Sequence, residues 1–428
     1  MTSPRMKDSG IAWVREIPNS WEIKPNKYVM TKKKRICPLH KGEPILSLTM
    51  NGVVVRDLDN LMGKRPASFD GYQRIQQGNL LMCLFDIDVT PRCVGLITKD
   101  GLTSPAYSQF CMINNAVANY YYYYYLMLDY TKELLHLAKN LRHSLTEDQL
   151  GAIKVPVPPV PEQQRIADYL DKKCAEIDTL SNSIQQQIET LEQYKRAVIT
   201  KTVTKGLNPS APMKDSGIPW IGKVPSHWSK CKVKNACSLI GSGTTPDSTV
   251  STFYEDGTVN WIQSGDIYGK LLITDVTTLI SEYALRTTPA LKIYKAPFIV
   301  IAMYGGSVGN TAISMIDACT NQACCCLKPN NDTDLKFLFY WINFCKPDFL
   351  FRAEGGGQPN ISQTKIKNQM FYMPPKQEQQ AIADYLDDKC GKIDAIIQDK
   401  QQQLEKLEQY KKAIIFEYVT GKKQVPEV

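Results

Sequence analysis

Two stretches of this sequence occur twice, and this internal repeat constrains the fold more than any other feature. Residues 6–21 (MKDSGIAWVREIPNSW) recur as residues 213–228 (MKDSGIPWIGKVPSHW), with nine of 16 positions identical. Residues 158–178 recur as residues 374–394, with 15 of 21 positions identical at an offset of 216. The chain therefore consists of a short motif, a long insert and a second repeated block, followed by the same series again.

The two inserts, roughly residues 22–157 and 229–373, differ in sequence from each other. A duplicated frame that carries two unlike inserts predicts a pseudo-twofold molecule with two different surfaces. The alternative is a duplicated enzyme in which one half has degenerated. The divergence favours the first interpretation, because it falls within the inserts of both copies.

Each repeated block at 158–178 and 374–394 opens a long segment with the periodicity of a helix. No proline or glycine occurs from Glu162 to about Val203, which at 1.5 Å per residue predicts a rod of roughly 60 Å. Apolar residues recur with heptad-like spacing, and Lys400 interrupts the series in the second copy. These predicted helix-pairing residues are Leu170, Ile177, Ile184, Leu191 and Val198 in the first copy and Leu386, Ile393, Leu407 and Ile414 in the second.

A rod with one apolar stripe needs a partner, and the other copy is the obvious one. Antiparallel pairing would place the two globular inserts at opposite ends. The alternative is that each helix packs separately on its own insert. The predicted fold class is α+β, with two mixed α/β domains joined by two long antiparallel coiled-coil helices in a pseudo-twofold repeat. The predicted divisions are an N-terminal motif and first globular domain (1–157), a first helix (158–207), a linker, repeated motif and second globular domain (208–373), and a second helix with the C-terminal tail (374–428).

The inserts show short apolar runs separated by turn residues, which predicts strands. The predicted strands are Pro44–Leu48, Leu80–Phe85, Cys93–Ile97, Val259–Gln263, Ala296–Met303 and Ala323–Lys328, and the predicted helices are Ala116–Leu141 and Leu335–Phe351. The first helix contains six consecutive tyrosines (120–125), most of which we expect to pack inside the domain. Arg142–Leu150 aligns with Gln358–Ile366 at the same offset of 216, so the inserts are expected to share a fold.

Composition and motifs argue against several functional classes. The 13 cysteines contain no C-x-x-C pair and there are only four histidines, which makes a zinc site improbable. The odd cysteine count and an N-terminus without an apolar signal segment predict a cytoplasmic protein with no membrane span. The chain contains neither a G-x-x-x-x-G-K-[ST] loop nor an Asp/Asn-Pro-Pro-aromatic motif of an adenine methyltransferase. The net charge of +8 suits a polyanion but does not require one.

Several of these segments resemble the specificity subunits of type I restriction–modification systems. Pro374-Pro375-x-x-Glu378-Gln379-Gln380 is similar to the proline–glutamate–glutamine segment that closes each recognition domain in that family. Residues 261–267 (WIQSGDI), 356–362 (GGQPNIS) and 101–107 (GLTSPAY) resemble its strand–turn segments. The resemblance covers nearly the whole chain, with Gln377 in place of the second-copy proline.

The resemblance implies that each insert is a target-recognition domain that reads one half of an interrupted site in double-stranded DNA. The helices would act as a spacer and would dock two methyltransferase subunits, which restriction subunits then join. The chain itself would supply specificity without catalysis and would hold no cofactor. S-adenosylmethionine, ATP and Mg²⁺ would bind to partner subunits only.

Candidate DNA-contacting residues lie in polar turns of the inserts, because Arg and Lys suit guanine and phosphate whereas Asn and Gln suit adenine. In the first insert they are Asn51, Arg56, Arg65, Tyr72 and Arg142. In the second they are Thr244, Thr245, Gln263, Ser264, Tyr304, Ser307, Asn310, Gln358 and Asn360. The alternative for each is an ordinary residue that stabilises a turn.

Two other functions remain open at this point. The chain could be a stand-alone or degenerate DNA methyltransferase, against which the missing cofactor motif argues. It could also be a coiled-coil protein scaffold without DNA binding, which a salt-dependent DNA-binding assay would distinguish.

Overall fold

A computed structural model of the protein describes residues 5–58, 66, 68–90, 92–138 and 143–426. The chain divides into two compact units, of which unit 1 comprises residues 1–185 and 401–428 and unit 2 comprises residues 186–400. Both units contain one insert together with a part of each of two long helices. Across these described ranges, no helix has the length and apolar character needed to span a lipid bilayer.

The two long helices are Val160–Lys205, with 46 residues, and Lys376–Val419, with 44 residues. We name them spacer helix 1 and spacer helix 2. At 1.5 Å per residue the first is about 70 Å long, slightly longer than the sequence indicated. Of the nine apolar residues in the heptad-like series, Leu170, Ile177, Ile184, Leu386, Ile393 and Ile414 are buried, and Leu191, Val198 and Leu407 are half-buried.

Within each unit the spacer helices run antiparallel, as one ion pair and one further contact in each unit demonstrate. In unit 1, Lys411 Nζ lies 2.6 Å from Asp178 Oδ1, and the Tyr418 hydroxyl donates to that of Tyr169 at 3.2 Å. The ion pairs are Lys411–Asp178 and, in unit 2, Lys195–Asp394, at 2.6 Å in both cases. Because Lys195 and Lys411, like Asp178 and Asp394, are 216 residues apart, the same contact occurs twice. The interruption at Lys400 is accommodated because its ammonium group donates to Gln187.

The strands of the two units follow one plan in chain order. In unit 1 they are Met6–Asp8, Glu16–Pro18, Glu22–Pro25, Met30–Lys33, Leu46–Thr49, Gly52–Val55, Gln73–Ile75, Leu80–Met82, Val94–Leu96, Gly101–Thr103, Ser108–Met112 and Lys154–Val157. In unit 2 they are Met213–Asp215, Lys223–Pro225, Ser229–Lys232, Cys237–Ser242, Val259–Ile262, Leu272–Ile273, Leu279–Ile280, Phe298–Ala302, Thr311–Ser314, Cys319–Thr320, Cys324–Pro329 and Met370–Met373.

The shorter α-helices differ in number between the inserts as far as the structure describes them. Those in unit 1 are Ala118–Thr131 and Glu147–Ala152. Those in unit 2 are Val233–Ala236, Ser264–Ile267, Glu282–Thr287, Leu335–Phe344, Lys346–Phe351 and Gln363–Lys367. We name Ala118–Thr131 domain helix 1 and Leu335–Phe344 domain helix 2.

The main sheets of the two inserts have the same antiparallel topology, which confirms that the unlike sequences share a fold. In unit 1 the order is 30–33, 108–112, 80–82, 94–96. In unit 2 it is 237–242, 324–329, 298–302, 311–314, followed by 272–273. In addition, 22–25 pairs with 154–157 in the first unit just as 229–232 pairs with 370–373 in the second.

The elements added to this common plan differ between the units. The first insert adds a hairpin, 46–49 with 52–55, and the pair 73–75 with 101–103. The second adds a strand, 259–262, that pairs with 279–280 on one side and in parallel with 319–320 on the other. The inserts thus combine a shared sheet with unlike attachments.

The structure corrects the extent of both predicted domain helices. The helix expected over Ala116–Leu141 ends at Thr131, because Lys132 adopts a left-handed conformation with φ of 53°, and a 3-10 turn follows at Glu133–Leu137. The helix expected over Leu335–Phe351 is divided at Cys345, and Pro347 lies in the first turn of the second part. Five of the six tyrosines at 120–125 are buried and Tyr122 is half-buried, so the run packs inside unit 1 as expected.

Candidate nucleic-acid interface

In unit 2, the ends of neighbouring strands place most of the candidate residues along one edge of the main sheet. Strand 237–242 ends beside the start of 324–329, since Ser242 pairs with Cys325, and Ala302 at the end of the next strand pairs with Cys324. The polar segments 243–245, 303–310 and 321–323 all begin or end there. Antiparallel pairing brings them together although they lie up to 80 residues apart in sequence.

Hydrogen bonds join these segments into one surface. Thr245 Oγ1 donates to Gln322 Oε1 at 2.7 Å, and Trp261 Nε1 donates to the Thr244 carbonyl at 3.2 Å. The Gly243 amide donates to Thr320 Oγ1 at 3.0 Å. Thr245 is exposed and Thr244 half-exposed, so their polar atoms face an accessible rim.

A second part of this surface comes from the loop at 354–360. The Gly305 amide donates to the Pro359 carbonyl at 2.7 Å, and the Ile361 amide donates to the Met303 carbonyl at 2.9 Å. These bonds bring candidates from separate segments side by side. Tyr304 is 43% exposed, Gln358 and Asn360 are exposed, and Ser307 is half-exposed.

Three candidates in unit 2 make contacts that stabilise their own turns. Gln263 Nε2 donates to Thr278 Oγ1 at 3.0 Å, and its amide N–H donates to the carboxylate of Asp266, which lies inside the short helix that begins at Ser264. Asn310 Oδ1 accepts from Lys346 Nζ at 2.7 Å. Only part of the hydrogen-bonding capacity of these side chains remains for a ligand.

Sequence reasoning missed Gln322 and Lys346 at this edge. Burial lowers the pKa of Lys346, and the positive charge of Arg196 on spacer helix 1 lowers it further. Two facing cations favour an anionic group nearby. A polar Asn-Gln pair directly before the buried strand 324–329 was a usable signal for Gln322, whereas Lys346 carried none, because only the fold brings it to Asn310.

In unit 1, the described candidates lie around the added hairpin and Tyr107. Asn51 is exposed at the hairpin tip, where Gly52 adopts a φ of +90°. Arg56 and Tyr72 lie close enough to the Tyr107 hydroxyl to affect its pKa, which burial raises most. Tyr72 also packs edge-on against Phe69, with ring centroids 5.3 Å apart. Arg65 and Arg142 lie outside the described residues.

Two buried glutamines fasten each recognition surface to the helix that follows it. Gln163 Oε1 accepts from the Val117 amide at 2.9 Å, at the start of domain helix 1. Gln379 Oε1 accepts from the Asp334 amide at 2.7 Å, at the start of domain helix 2. Each glutamine also donates to the carbonyl of the first proline of its Pro-Pro pair, at 2.8 and 2.9 Å.

A repeated aspartate on each spacer helix makes the second connection. In unit 1, Asp171 accepts from the Tyr123 hydroxyl and from Asn119, both at 2.8 Å. In unit 2, Asp387 accepts from the Tyr340 hydroxyl at 2.8 Å and pairs with Lys336. The tyrosine run of the first insert is therefore the structural counterpart of the FLFYWI segment of the second. Within the described ranges, no group of three His, Cys, Asp or Glu side chains is placed to hold a metal ion.

Comparison with known proteins gives the same architecture a family. The chain matches the family model for the type I restriction modification DNA specificity domain over residues 96–190 and 225–406, which is more than half of its length. The chain belongs to this family.

Among similar proteins are two type I restriction enzyme specificity subunits. The MjaVIII subunit of Methanocaldococcus jannaschii is 30% identical over 283 residues, which cover 64% of this chain and 63% of that protein. The EcoR124I/EcoR124II subunit of Escherichia coli is 22% identical over 246 residues, which cover 55% and 54%. The chain thus spans less than two thirds of the length of these relatives.

Solved structures support the fold over almost the whole chain. A chain from work on complex assembly and conformational transition of the type I R-M system superposes with a TM-score of 0.70 at 16% identity and covers 94% of this chain and 98% of its own. The HsdS subunit from Thermoanaerobacter tengcongensis gives 0.50 at 15% identity and covers 95% and 98%.

Proposed function

We propose that this chain is the specificity subunit of a type I restriction–modification complex and reads an interrupted DNA site through two recognition domains, residues 1–157 and 208–373. The observation that carries the proposal is the repetition of one frame around two unlike polar surfaces. Equivalent glutamines and aspartates hold equivalent domain helices in both units. The exposed segments, in contrast, differ between the units, as expected if each half of the site has its own sequence.

The edge of the unit 2 sheet is the reading surface in this proposal. Hydroxyl, amide and phenol groups at 244–245, 304–307 and 358–360 would meet base edges, while basic side chains would contact phosphates. In unit 1 the hairpin tip and the surroundings of Tyr107 would serve this purpose. The 14 candidates named from the sequence remain predictions as DNA contacts.

The chemistry would belong to partner subunits. Two methyltransferase subunits that use S-adenosylmethionine would dock on the spacer helices and methylate adenine, and restriction subunits using ATP and Mg²⁺ would join them. The chain would contribute no catalytic group. The purified chain alone should therefore transfer no methyl group and cleave no DNA, and robust activity of the isolated protein would refute this assignment.

An exchange of the second insert tests the central claim. Cells that carry the chain with its methyltransferase subunit should methylate adenines in one interrupted sequence, which sequencing of modified DNA identifies. Replacement of residues 229–373 by the insert of another family member should change one half-site and leave the other unaltered. If both half-sites change, or neither does, the division into two independent reading domains is wrong.

A further inference from the structure

The first insert contains a small cavity that the common frame does not require. It lies between the hairpin 46–49/52–55 and the segment that follows Met82, and its volume is about 220 Å³. The lining residues used below are Thr49, Met50, Phe85, Thr90, Arg92 and Tyr107. Sites for drug-sized ligands measure about 300–1,000 Å³, so this space suits a single heterocycle.

Two aromatic rings form one side of this cavity. The rings of Phe85 and Tyr107 lie with their centroids 6.5 Å apart and are inclined at 26°. Phe85 is 36% exposed and Tyr107 is half-buried, so Phe85 in particular offers its ring to an entering group. Flat aromatic surfaces of this kind bind nucleobases by stacking.

The opposite side is the hairpin tip, where an apolar side chain projects into solvent. Met50 is 63% exposed beside Asn51, and Arg92 Nη1 donates to the Met50 carbonyl at 2.5 Å, which holds the tip against the cavity. Arg92 and Arg56 add positive charge on this side of the unit, since Arg56 lies near the Tyr107 hydroxyl. An exposed methionine beside cations and a cavity lined by rings is the arrangement of a wedge with a receptor for what it displaces.

We propose that Met50 enters the base stack of the first half-site and that the cavity receives the nucleobase displaced by it. The inference rests on the proposed function, because it assumes that unit 1 binds duplex DNA. A nucleobase fits better than an apolar peptide side chain, because its phosphate backbone complements the two guanidinium groups. The thymine methyl group, which would fill only part of this volume, is the alternative occupant that the experiment separates.

Fluorescent bases test this in the full chain assembled with its methyltransferase subunits. A duplex carrying the mapped site is synthesised with 2-aminopurine or pyrrolocytosine replacing, one at a time, each adenine or cytosine of the first half-site except the methylated adenine. One pair should lose stacking when the complex forms and change its fluorescence. Met50→Ala and Phe85→Leu should abolish that change, and Phe85→Leu should weaken cognate binding about tenfold, as expected for loss of a stacked ring.

The matched control is Phe351→Leu in unit 2, where the same ring is removed from a side chain that is 89% exposed. This variant should retain both the fluorescence change and the affinity, and circular dichroism should show all variants folded. Sequence-selective binding without any fluorescence change would overturn the wedge and leave the proposed function intact, and so would a change that persists in both unit 1 variants. Weaker binding of a thymine-containing site by Phe85→Leu with no unstacking would assign the cavity to the thymine methyl group. Absence of sequence-selective binding by the unaltered complex would refute the proposed function itself.

Discussion

At the scale of single residues, burial separates neighbours that the sequence makes identical. Gln379 is fully buried and bonds three groups, the Asp334 amide and the carbonyls of Asp332 and Pro374. Gln380, the next residue, is exposed and donates only to Asp384 of its own helix, at 2.9 Å. A buried polar group that loses its partner costs the desolvation free energy that the hydrogen bond had offset.

Replacement of these two glutamines should therefore have unequal effects. Gln379→Leu leaves the bonded groups of the 332–334 segment and Pro374 without this partner and is expected to lower the free energy of unfolding by about 2–4 kcal/mol. Gln380→Leu is expected to change it by less than about 0.5 kcal/mol. Denaturant unfolding followed by tryptophan fluorescence measures both. Equal effects of the two variants would contradict the fastening function assigned to Gln379.

The cysteines provide a second test at this scale. Burial raises the pKa of Cys174, Cys231 and Cys319 to about 11 and that of Cys237 and Cys325 to about 12. Only the thiolate reacts, and a thiol with a raised pKa is protonated at pH 8, so we expect these five to react slowly in the folded protein. Labelling with a thiol reagent followed by mass spectrometry of peptides reports each site. Labelling should become rapid on unfolding, and fast labelling of the five in the native chain would show that the structure overstates their burial.

At the scale of elements, the apolar stripe of each spacer helix is wider than the part that packs. Ile184 is 6% exposed, whereas Leu180, one turn earlier on the same helix, is 50% exposed. Sequence periodicity assigned both to the stripe, because it detects a helical face but not which part of the face meets another element. The ion pairs Lys411–Asp178 and Lys195–Asp394 give each unit its antiparallel register.

Truncation of these two side chains should distinguish the packed from the exposed part. Ile184→Ala is expected to cost about 2–4 kcal/mol in unfolding free energy, because it removes buried methyl groups and leaves a cavity. Leu180→Ala is expected to cost less than about 1 kcal/mol. Thermal and denaturant unfolding of both variants provide the measurement, and a Leu180→Ala effect as large as that of Ile184→Ala would be inconsistent with the observed packing.

The connection between spacer helix 2 and domain helix 2 has its own matched pair of carboxylates. Asp387 accepts from Tyr340 and pairs with Lys336, whereas Asp384, nearly one turn earlier, is bonded by Gln380 of its own helix. Asp387→Asn is expected to destabilise the protein by about 1–2 kcal/mol, since hydrogen bonds to a charged group contribute more than neutral ones. Asp384→Asn should stay within about 0.5 kcal/mol. Similar losses in the two variants would attribute the effect to helix charge and not to this contact.

At the scale of the whole molecule, two continuous helices pass through both units and couple the lengths of their paired segments. Residues near 187 on one helix are bonded to residues near 400 on the other. An insertion in one helix alone shifts the register of its pairing, whereas equal insertions in both preserve it. This makes helix length the natural determinant of the gap between half-sites in the proposed function.

Matched insertions test this coupling. Seven residues added after Gln187 and seven after Lys400 should lengthen each helix by about 10 Å, or about three base pairs, without disturbing the heptad pattern. Methylated sites should then show a gap about three base pairs longer with both half-sites unchanged. Insertion in one helix alone should abolish methylation or impair folding. An unchanged gap in the doubly extended protein would refute a spacer function for the helices.

The sequence by itself determined the duplicated plan, the two long helices, their periodicity and the family. These features are local or repeated, so residue spacing encodes them directly. Only the tertiary structure decided which polar turns share a surface. Thr245 meets Gln322 and Asn310 meets Lys346 because strands distant in sequence pair in one sheet, and no local pattern specifies that order. The same reason hid the match between the tyrosine run and residues 337–342, since burial against a common helix preserved position and packing while the side chains diverged.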